Sequence, residues 1–393
     1  MLKDTLQQPS GLLFICGSLQ PGADGIGDYT RRIAGELKKK ACKVSIIAFN
    51  DKQTNIVLSE SQTVDNTVVD VLRLPINLDE NYKMALSKEW IDLHNPEWIS
   101  VQFVLYAFNN RGLPLFFGTE MKKLSAGRKV HIMFHELWLG VEKYPSAKDR
   151  LYGIFQKTII KRMVNKLQPK VVHSHSALYL KLLQYNKINA RQLKIISNIP
   201  VVHDQISPRQ LMADGSLKLL VFGYISPNAP IEEFVSELKS VSEQRHFKPE
   251  IIFSGRNGGT LNEWTATLDK YLIPYSVRGV LSIEELSDLM IEVDVGISTT
   301  PFLLYEKSGS VAAMFKHGIP VINVAQSIEW DPKFLADFKA DPSIVEFVPG
   351  MIGKWITQLQ KPEMYNNLTD ITYQLCRDLN IQLPLAKPDN VSE

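Results

Sequence analysis

The chain has 393 residues, too many for one ordinary α/β core and enough for two domains. Its 45% hydrophobic and 22% charged residues are those of a soluble globular protein, and a net charge of +2 gives no case for nucleic acid as a partner. Three cysteines, Cys16, Cys42 and Cys376, stand without metal-ligand spacing, which argues against a disulfide framework and for a reducing compartment.

The start, MLKDTLQQPSG, lacks the apolar core of a signal peptide, and no run is long enough to cross a bilayer. A cytoplasmic protein is expected, with contact at a membrane surface left open. Residues 12–16 read as a buried strand opening into the Gly-rich GSLQPGADGIGDYT, followed by a helix over 29–40 and a strand over 44–49. Strand, Gly-rich loop, helix, strand is the first unit of a doubly wound nucleotide-binding domain. Gly25 and Gly27 would let the backbone approach a ligand, or would serve a plain tight turn. Their spacing is not that of the dinucleotide fingerprint.

Strands follow over 68–72, 98–103 and 129–134. Gln102, Tyr106, His135 and Glu136 fall at carboxyl ends of strands, where open α/β sheets bind ligands. A helix over 152–167 carries an apolar stripe of Ile160, Met163, Val164 and Leu167. Its other side carries Lys157, Lys161, Arg162 and Lys166, either a solvated face or a basic surface for anionic lipid. A strand at 171–173, a helix over 177–185 and a strand over 194–197 complete the half, and the polar stretch 201–216 reads as a linker.

The second half repeats the alternation, with strands over 217–222 and 251–254, helices over 231–241 and 261–271, and an extended stretch over 277–280. Ser282 and Glu285 form a capping box. Residues 294–323, DVGISTTPFLLYEKSGSVAAMFKHGIPVIN, read as strand, loop, helix, strand. Lys307, Ser308, Gly309 and Ser310 stand where that helix begins. Unpaired N–H groups, a glycine, two hydroxyls and a cation together suit a phosphate or diphosphate; a plain serine N-cap beside a solvated lysine is the simpler alternative. Arg256 follows the 251–254 strand at another carboxyl end. Leu368, Ile371, Leu375 and Leu379 mark a last amphipathic helix, and the tail after Leu385 is expected to fray. No Asp-x-Asp ends a strand, and His173 and His175 have no third ligand nearby in sequence, so no metal is expected.

Several strings, in order, resemble blocks of the GT-B glycosyltransferases, in particular retaining family 4. They are GADGIGDYTRRIAGEL, FHELW, LKLLVFGYI, EIIFSGRNGG, SIEELSDLMIEVDVGISTTP and KSGSVAAMFKHGIPVI. The resemblance spans residues 12–323 and implies two Rossmann-like domains facing each other across a cleft: an acceptor domain over 1–205 and a donor domain over 206–360. The last helix, within 361–393, would cross back onto the first domain.

The resemblance further implies a nucleotide-sugar co-substrate and no other cofactor. Lys307, Ser308, Gly309 and Ser310 would lie against its diphosphate, Glu306 on sugar hydroxyls, Gly25 and Gly27 across from the donor, and His135 beside the transferred sugar. Asp28, Tyr106 and Glu136 would face the acceptor, a glycan, lipid or small molecule. The chain also departs from the pattern. The family's arginine and lysine after the first strand of the second domain are absent from Gly223-Tyr224-Ile225-Ser226-Pro227-Asn228-Ala229-Pro230. The second glutamate of Glu-x7-Glu is replaced near Ala313 or Met314. A retaining, metal-independent hexosyltransferase is therefore expected, with a non-catalytic GT-B protein that binds a partner glycosyltransferase or glycan as the alternative. A sugar-nucleotide epimerase and a nicotinamide dehydrogenase rank below both.

Overall fold

The computed structural model describes residues 11–202, 210–227, 229–335, 338–360 and 367–383. These form two compact units, one up to Lys194 together with the residues from Leu368, the other from Ile195 to Asn367. Residues 203–209 of the expected linker, Asn228 and the tail after Leu385 lie outside the described residues.

The first unit opens with β1 (Gly11–Cys16), an apolar strand buried along its whole length, as a strand covered on both faces must be. There follow α1 (Gly25–Lys39), β2 (Lys43–Asp51), β3 (Leu58–Val64), β4 (Thr67–Pro75), α2 (Glu80–His94), β5 (Trp98–Phe103) and the short α3 (Leu105–Phe108). Then come α4 (Phe117–Leu124), β6 (Lys129–Phe134), α5 (Ala147–Leu167), β7 (Val171–Ser174), α6 (Ala177–Tyr185) and β8 (Arg191–Gln192). The sheet order is β3-β4-β2-β1-β5-β6-β7-β8. All its pairs are parallel except the β3–β4 hairpin.

In the second unit β9 (Ser216–Phe222), α7 (Ile231–Arg245), β10 (Lys248–Ser254), α8 (Leu261–Lys270), β11 (Tyr275–Gly279), α9 (Ile283–Glu292) and β12 (Val295–Ser298) lead to a 3-10 turn (Phe302–Lys307). After it come α10 (Gly309–Lys316), β13 (Val321–Asn323), α11 (Pro332–Leu335), β14 (Ile344–Glu346) and α12 (Ile352–Gln358). Its six strands run parallel in the order β11-β10-β9-β12-β13-β14. Leu219, Val221, Ile251 and Phe253 bury on one face and Leu220 and Ile252 on the other, the period-2 alternation of a doubly covered sheet. Ser282 and Glu285 make both bonds of the expected capping box.

The last helix, α13 (Leu368–Leu379), belongs to the first unit and buries Leu368, Ile371, Leu375 and Leu379. It packs on α1, where Thr369 donates to Glu36 Oε1 at 2.9 Å and the Lys40 ammonium lies 4.5 Å from the Tyr373 ring centre.

Four expectations need correction. Helix α1 begins at Gly25, not 29, because Asp24 caps it by accepting from Ile26 N (3.0 Å) and Gly27 N (2.7 Å). Gly25 and Gly27 thus belong to a helical first turn and not to an open loop. Helix α5 likewise begins early, at Ala147, since Ser146 accepts from Asp149 N. Residues 50–66 and 109–127, left without an element between the strands read in the sequence, contain β3 and α4. The hairpin turns at Asp65 and Asn66, both with positive φ, a two-residue connection that asparagine and aspartate tolerate. Residues 194–197 form no strand; the ladder ends at the pair Ser174–Gln192.

Candidate functional site

In each sheet the strand order reverses about its first strand. β1 lies between β2 and β5, and β9 between β10 and β12. Ligands of open α/β sheets bind beyond the carboxyl ends at such switch points, which in each unit are the loops following these strands.

In the second unit the loop after β12 leads straight to the start of α10. Ser308 caps that helix, its hydroxyl accepting from Val311 N at 3.4 Å and lying 3.1 Å from Ser310 Oγ. Thr300 donates to the same Ser308 hydroxyl at 3.3 Å. Asn323, at the end of β13, holds the loop from the neighbouring strand by donating to Thr300 O at 2.7 Å. The helix start is therefore fixed by side chains before any ligand arrives. Nothing lies within 4 Å of where a Cβ on Gly309 would stand, so that side of its backbone faces open space. Glu306 and Lys307 are half-buried at the end of the 3-10 turn.

Two strands away, Arg256 is exposed in the turn after β10. That turn is braced by buried Asn257, which donates to Gly223 O (2.8 Å) and Ser254 O (3.2 Å). The loop after β9 is glycine and tyrosine: Gly223 has a φ of 86°, and Tyr224 is exposed. Ser226 N donates to Thr299 Oγ1 at 2.9 Å, tying this loop to the end of β12. The structure thus brings Arg256, Glu306, Lys307, Ser308, Gly309 and Ser310 to one edge of one sheet. Ala313 and Met314, the positions of the missing second glutamate, are fully buried in the core, with Met314 filling the space over Gly296.

In the first unit the loop after β1 is held from β2 and β4. Buried Asp51 accepts from Arg73 Nε (2.7 Å) and Leu19 N (3.2 Å), and Arg73 donates to Gln20 Oε1 (3.0 Å). Gly27 packs so closely on this loop that a Cβ would stand 2.4 Å from Ser18 O. Asp28 turns back on the same loop, accepting from Gly22 N (3.1 and 3.2 Å) and Arg31 Nη1 (2.9 Å); burial raises its pKa above the usual carboxylate value. Tyr106 is exposed, its hydroxyl accepting from Gln156 Nε2 at 3.3 Å, and Glu136 is half-buried beyond β6.

His135 is enclosed. Its Nε2 is 2.9 Å from Gln102 Oε1, its Nδ1 is 2.9 Å from His175 Nε2, and Tyr29 meets its ring edge-on at 5.1 Å. Desolvation, with the neighbouring His175 and His131 adding to it, holds His135 well below the usual histidine range. Both ring nitrogens are engaged inside the protein, which removes the ring N–H as a contact to a sugar and leaves the backbone carbonyl as the group His135 can offer. Sequence spacing misses the partners. His173 and His175 look isolated along the chain, whereas the parallel pairing of β6 with β7 sets His131 and His135 beside them.

On α5, Lys161, Arg162 and Lys166 are exposed and Lys157 is half-buried. Unread in the sequence, the N-terminal half of the same solvent face is apolar: Leu151 is 53% exposed, Ile154 51% and Phe155 54%. Helix α4 packs along α5, with Lys166 donating to Thr119 Oγ1 at 2.8 Å, and the residues before it expose Leu115 and Phe116. A cavity of about 240 Å³ lined by Phe49, Asn50, Glu80, Phe108, Phe116 and Glu120 opens beside these residues. No helix among the described residues is long and apolar enough to cross a membrane.

No family model matches the sequence, and no curated protein matches it. Solved structures do. The chain is similar to HepE of Anabaena, a complex with UDP and glucose, at 14% identity over 94% of this chain and 95% of that one, with a TM-score of 0.56. It is similar to a glycosyltransferase of Rickettsia africae at 13% identity over 95% and 93%, also with a TM-score of 0.56. The catalytic domain of starch synthase IV from Arabidopsis thaliana, bound to ADP and acarbose, matches at 11% identity over 95% and 96%, with a TM-score of 0.53. At these identities the likeness is one of fold. That fold is the two-unit, parallel-sheet GT-B fold of glycosyltransferases.

Proposed function

We propose that the chain is a retaining glycosyltransferase that moves a hexosyl group from a nucleotide-diphosphate sugar to a glycan, lipid-linked or small-molecule acceptor. Fold alone does not carry this, since one fold hosts many activities. The observation that does is the start of α10 at the switch-point edge of the second sheet: a braced Ser308 cap, an open Gly309 and Lys307 at the adjoining turn. Helix-start N–H groups and a lysine are the donors a diphosphate requires.

In this reading the acceptor hydroxyl attacks the anomeric carbon from the face the nucleotide leaves. The bond from that carbon to the diphosphate oxygen breaks, and the departing phosphate takes the acceptor's proton. No protein nucleophile and no metal is needed; positioning and charge stabilisation do the work. Glu306 orients sugar hydroxyls. Lys307 and Arg256 replace the two cations missing after β9, each such donor contributing about 3–4 kcal/mol in a preorganised site. The exposed apolar and basic face of α5 favours an acceptor presented at an anionic membrane surface by a cytoplasmic enzyme.

The second reading, a non-catalytic GT-B protein that binds a partner glycosyltransferase or glycan, is favoured by two observations. The described part of the loop after β9 carries no cation, and the place of the second glutamate is buried core. Thermal shift with a panel of nucleoside diphosphates and nucleotide-sugars decides between the two, on the wild type and on Lys307→Ala. A ligand at 100 times its dissociation constant stabilises by about 2.7 kcal/mol. A selective shift, lost in the variant and accompanied by slow donor hydrolysis, is expected. No shift with any nucleotide would establish the non-catalytic reading instead.

A further inference from the structure

A continuous chain of side chains, buried but for half-buried Asp378 at its α13 end, joins α13 to His135. Asp378 Oδ2 lies 3.1 Å from His173 Nε2, and His173 Nδ1 lies 3.0 Å from His131 Nε2. His131 Nδ1 lies 2.8 Å from Ser100 Oγ, and the Gln102 amide spans Ser100 Oγ (2.8 Å) and His135 Nε2 (2.9 Å). His135 Nδ1 then meets His175 Nε2 at 2.9 Å, and His175 Nδ1 meets Leu193 O at 2.8 Å.

Both ends of this chain accept only: a carboxylate at one, a carbonyl at the other. Between them are seven contacts, each needing one hydrogen. Four neutral imidazoles supply one N–H each, the serine one O–H, and the amide one N–H directed along the chain, six in all. One contact is short of a hydrogen. Reversing the Gln102 amide moves the shortfall along the chain and does not remove it.

We propose that the four histidines bind a single shared proton, that it rests on His173 against Asp378, and that it thereby holds His131, His135 and His175 as neutral Nδ1–H tautomers. His173 is the one ring that faces a carboxylate. It faces His131 from β6, Asp378 from α13 and Arg191 from β8, and Arg191 itself donates to Asp378 Oδ1 at 3.0 Å. With the proton there, His173 donates from both nitrogens and His131 donates to Ser100. Ser100 donates to the Gln102 carbonyl, and the Gln102 N–H donates to His135 Nε2. His135 donates to His175, and His175 donates to Leu193 O. Every contact is filled, and the amide faces the way that puts its nitrogen toward His135. Asp378 is thus a positioning residue for His135, acting from a helix at the far end of the sequence. Burial lowers the basicity of His173 by more than Asp378 raises it, so its pKa lies below the usual histidine value, and closing the last contact is what the chain gains on protonation against that. The count stands whatever reaction the protein performs.

The test is two-dimensional ¹⁵N–¹H NMR of histidine ring nitrogens in the full chain, titrated from neutral to mildly acidic pH. The expected result is one imidazolium among the four buried rings, assigned to His173, with the other three remaining Nδ1–H. Asp378→Asn supplies its own N–H to His173 Nε2, so the imidazolium disappears while the tautomers persist. Four neutral rings throughout, more than one imidazolium, a charge on any ring other than His173, or its survival in Asp378→Asn would each overturn the proposal.

Discussion

At the residue scale two glycines differ in what surrounds them. Gly27 meets a backbone carbonyl where a Cβ would stand, whereas Gly309 meets nothing. Gly27→Ala should therefore cost about 1–3 kcal/mol, read as a fall in the melting temperature of about 2–4 °C per kcal/mol. Gly309→Ala should leave that temperature unchanged or slightly raised and should weaken nucleotide binding, because the added methyl takes up space a diphosphate would use. Equal melting temperatures for the two variants would contradict the packing described. The buried histidines give a pH dependence. Burial holds His131 and His135 well below 6.5 and His175 down at about 4. They are neutral in the fold and protonated once unfolded, so their stabilisation is complete above about pH 6.5 and lost as pH falls toward 4. With one shared proton kept in the fold, unfolding below pH 6 should take up about three protons, roughly 4 kcal/mol per pH unit. Amide exchange of β6 and β7 at stepped pH measures this, and protection independent of pH would refute it.

At the scale of elements, α5 shows how one helix carries two faces. Gln156, Ile159, Ile160, Met163 and Leu167 are buried, and the opposite side passes from Leu151, Ile154 and Phe155 to Lys161, Arg162 and Lys166. The sequence showed the basic half. Of the apolar half, Leu151 fell before the helix as read from its periodicity, which starts five residues late, and Ile154 and Phe155 fell inside it but off the stripe that was read. If this face rests on lipid, the chain should sediment with vesicles rich in anionic lipid and not with zwitterionic ones. At about 1 kcal/mol per basic residue near the surface, neutralising Lys161, Arg162 and Lys166 to alanine should weaken binding about a hundredfold. Phe155→Ser should weaken it further at any salt concentration, since that contribution is apolar. Binding unaffected by both sets of changes would return the helix to a merely solvated role.

For the whole molecule, the alternation of apolar runs and helical stripes determined the class of fold. A strand buried on both faces is mostly apolar, and that composition is visible in the sequence along 12–16, and along 98–103 and 217–222 apart from Ser100, Gln102 and Lys218. The capping box at Ser282, the helix start at Ser308 and the last helix at Leu368 were legible for the same reason, each being a local pattern. The edge strand β3, which makes a hairpin with β4, was not, because it is polar and half-exposed. Local chemistry reaches only a few residues, so the sequence by itself determined the elements and the residue types at the ends of their strands. Which side chains meet is set by sheet order and register. The ion pair of Asp51 with Arg73 and the line from Asp378 to His135 join residues far apart in the chain. Only the tertiary structure decided these, because a parallel sheet brings together strands whose separation in sequence carries no signal of their contact.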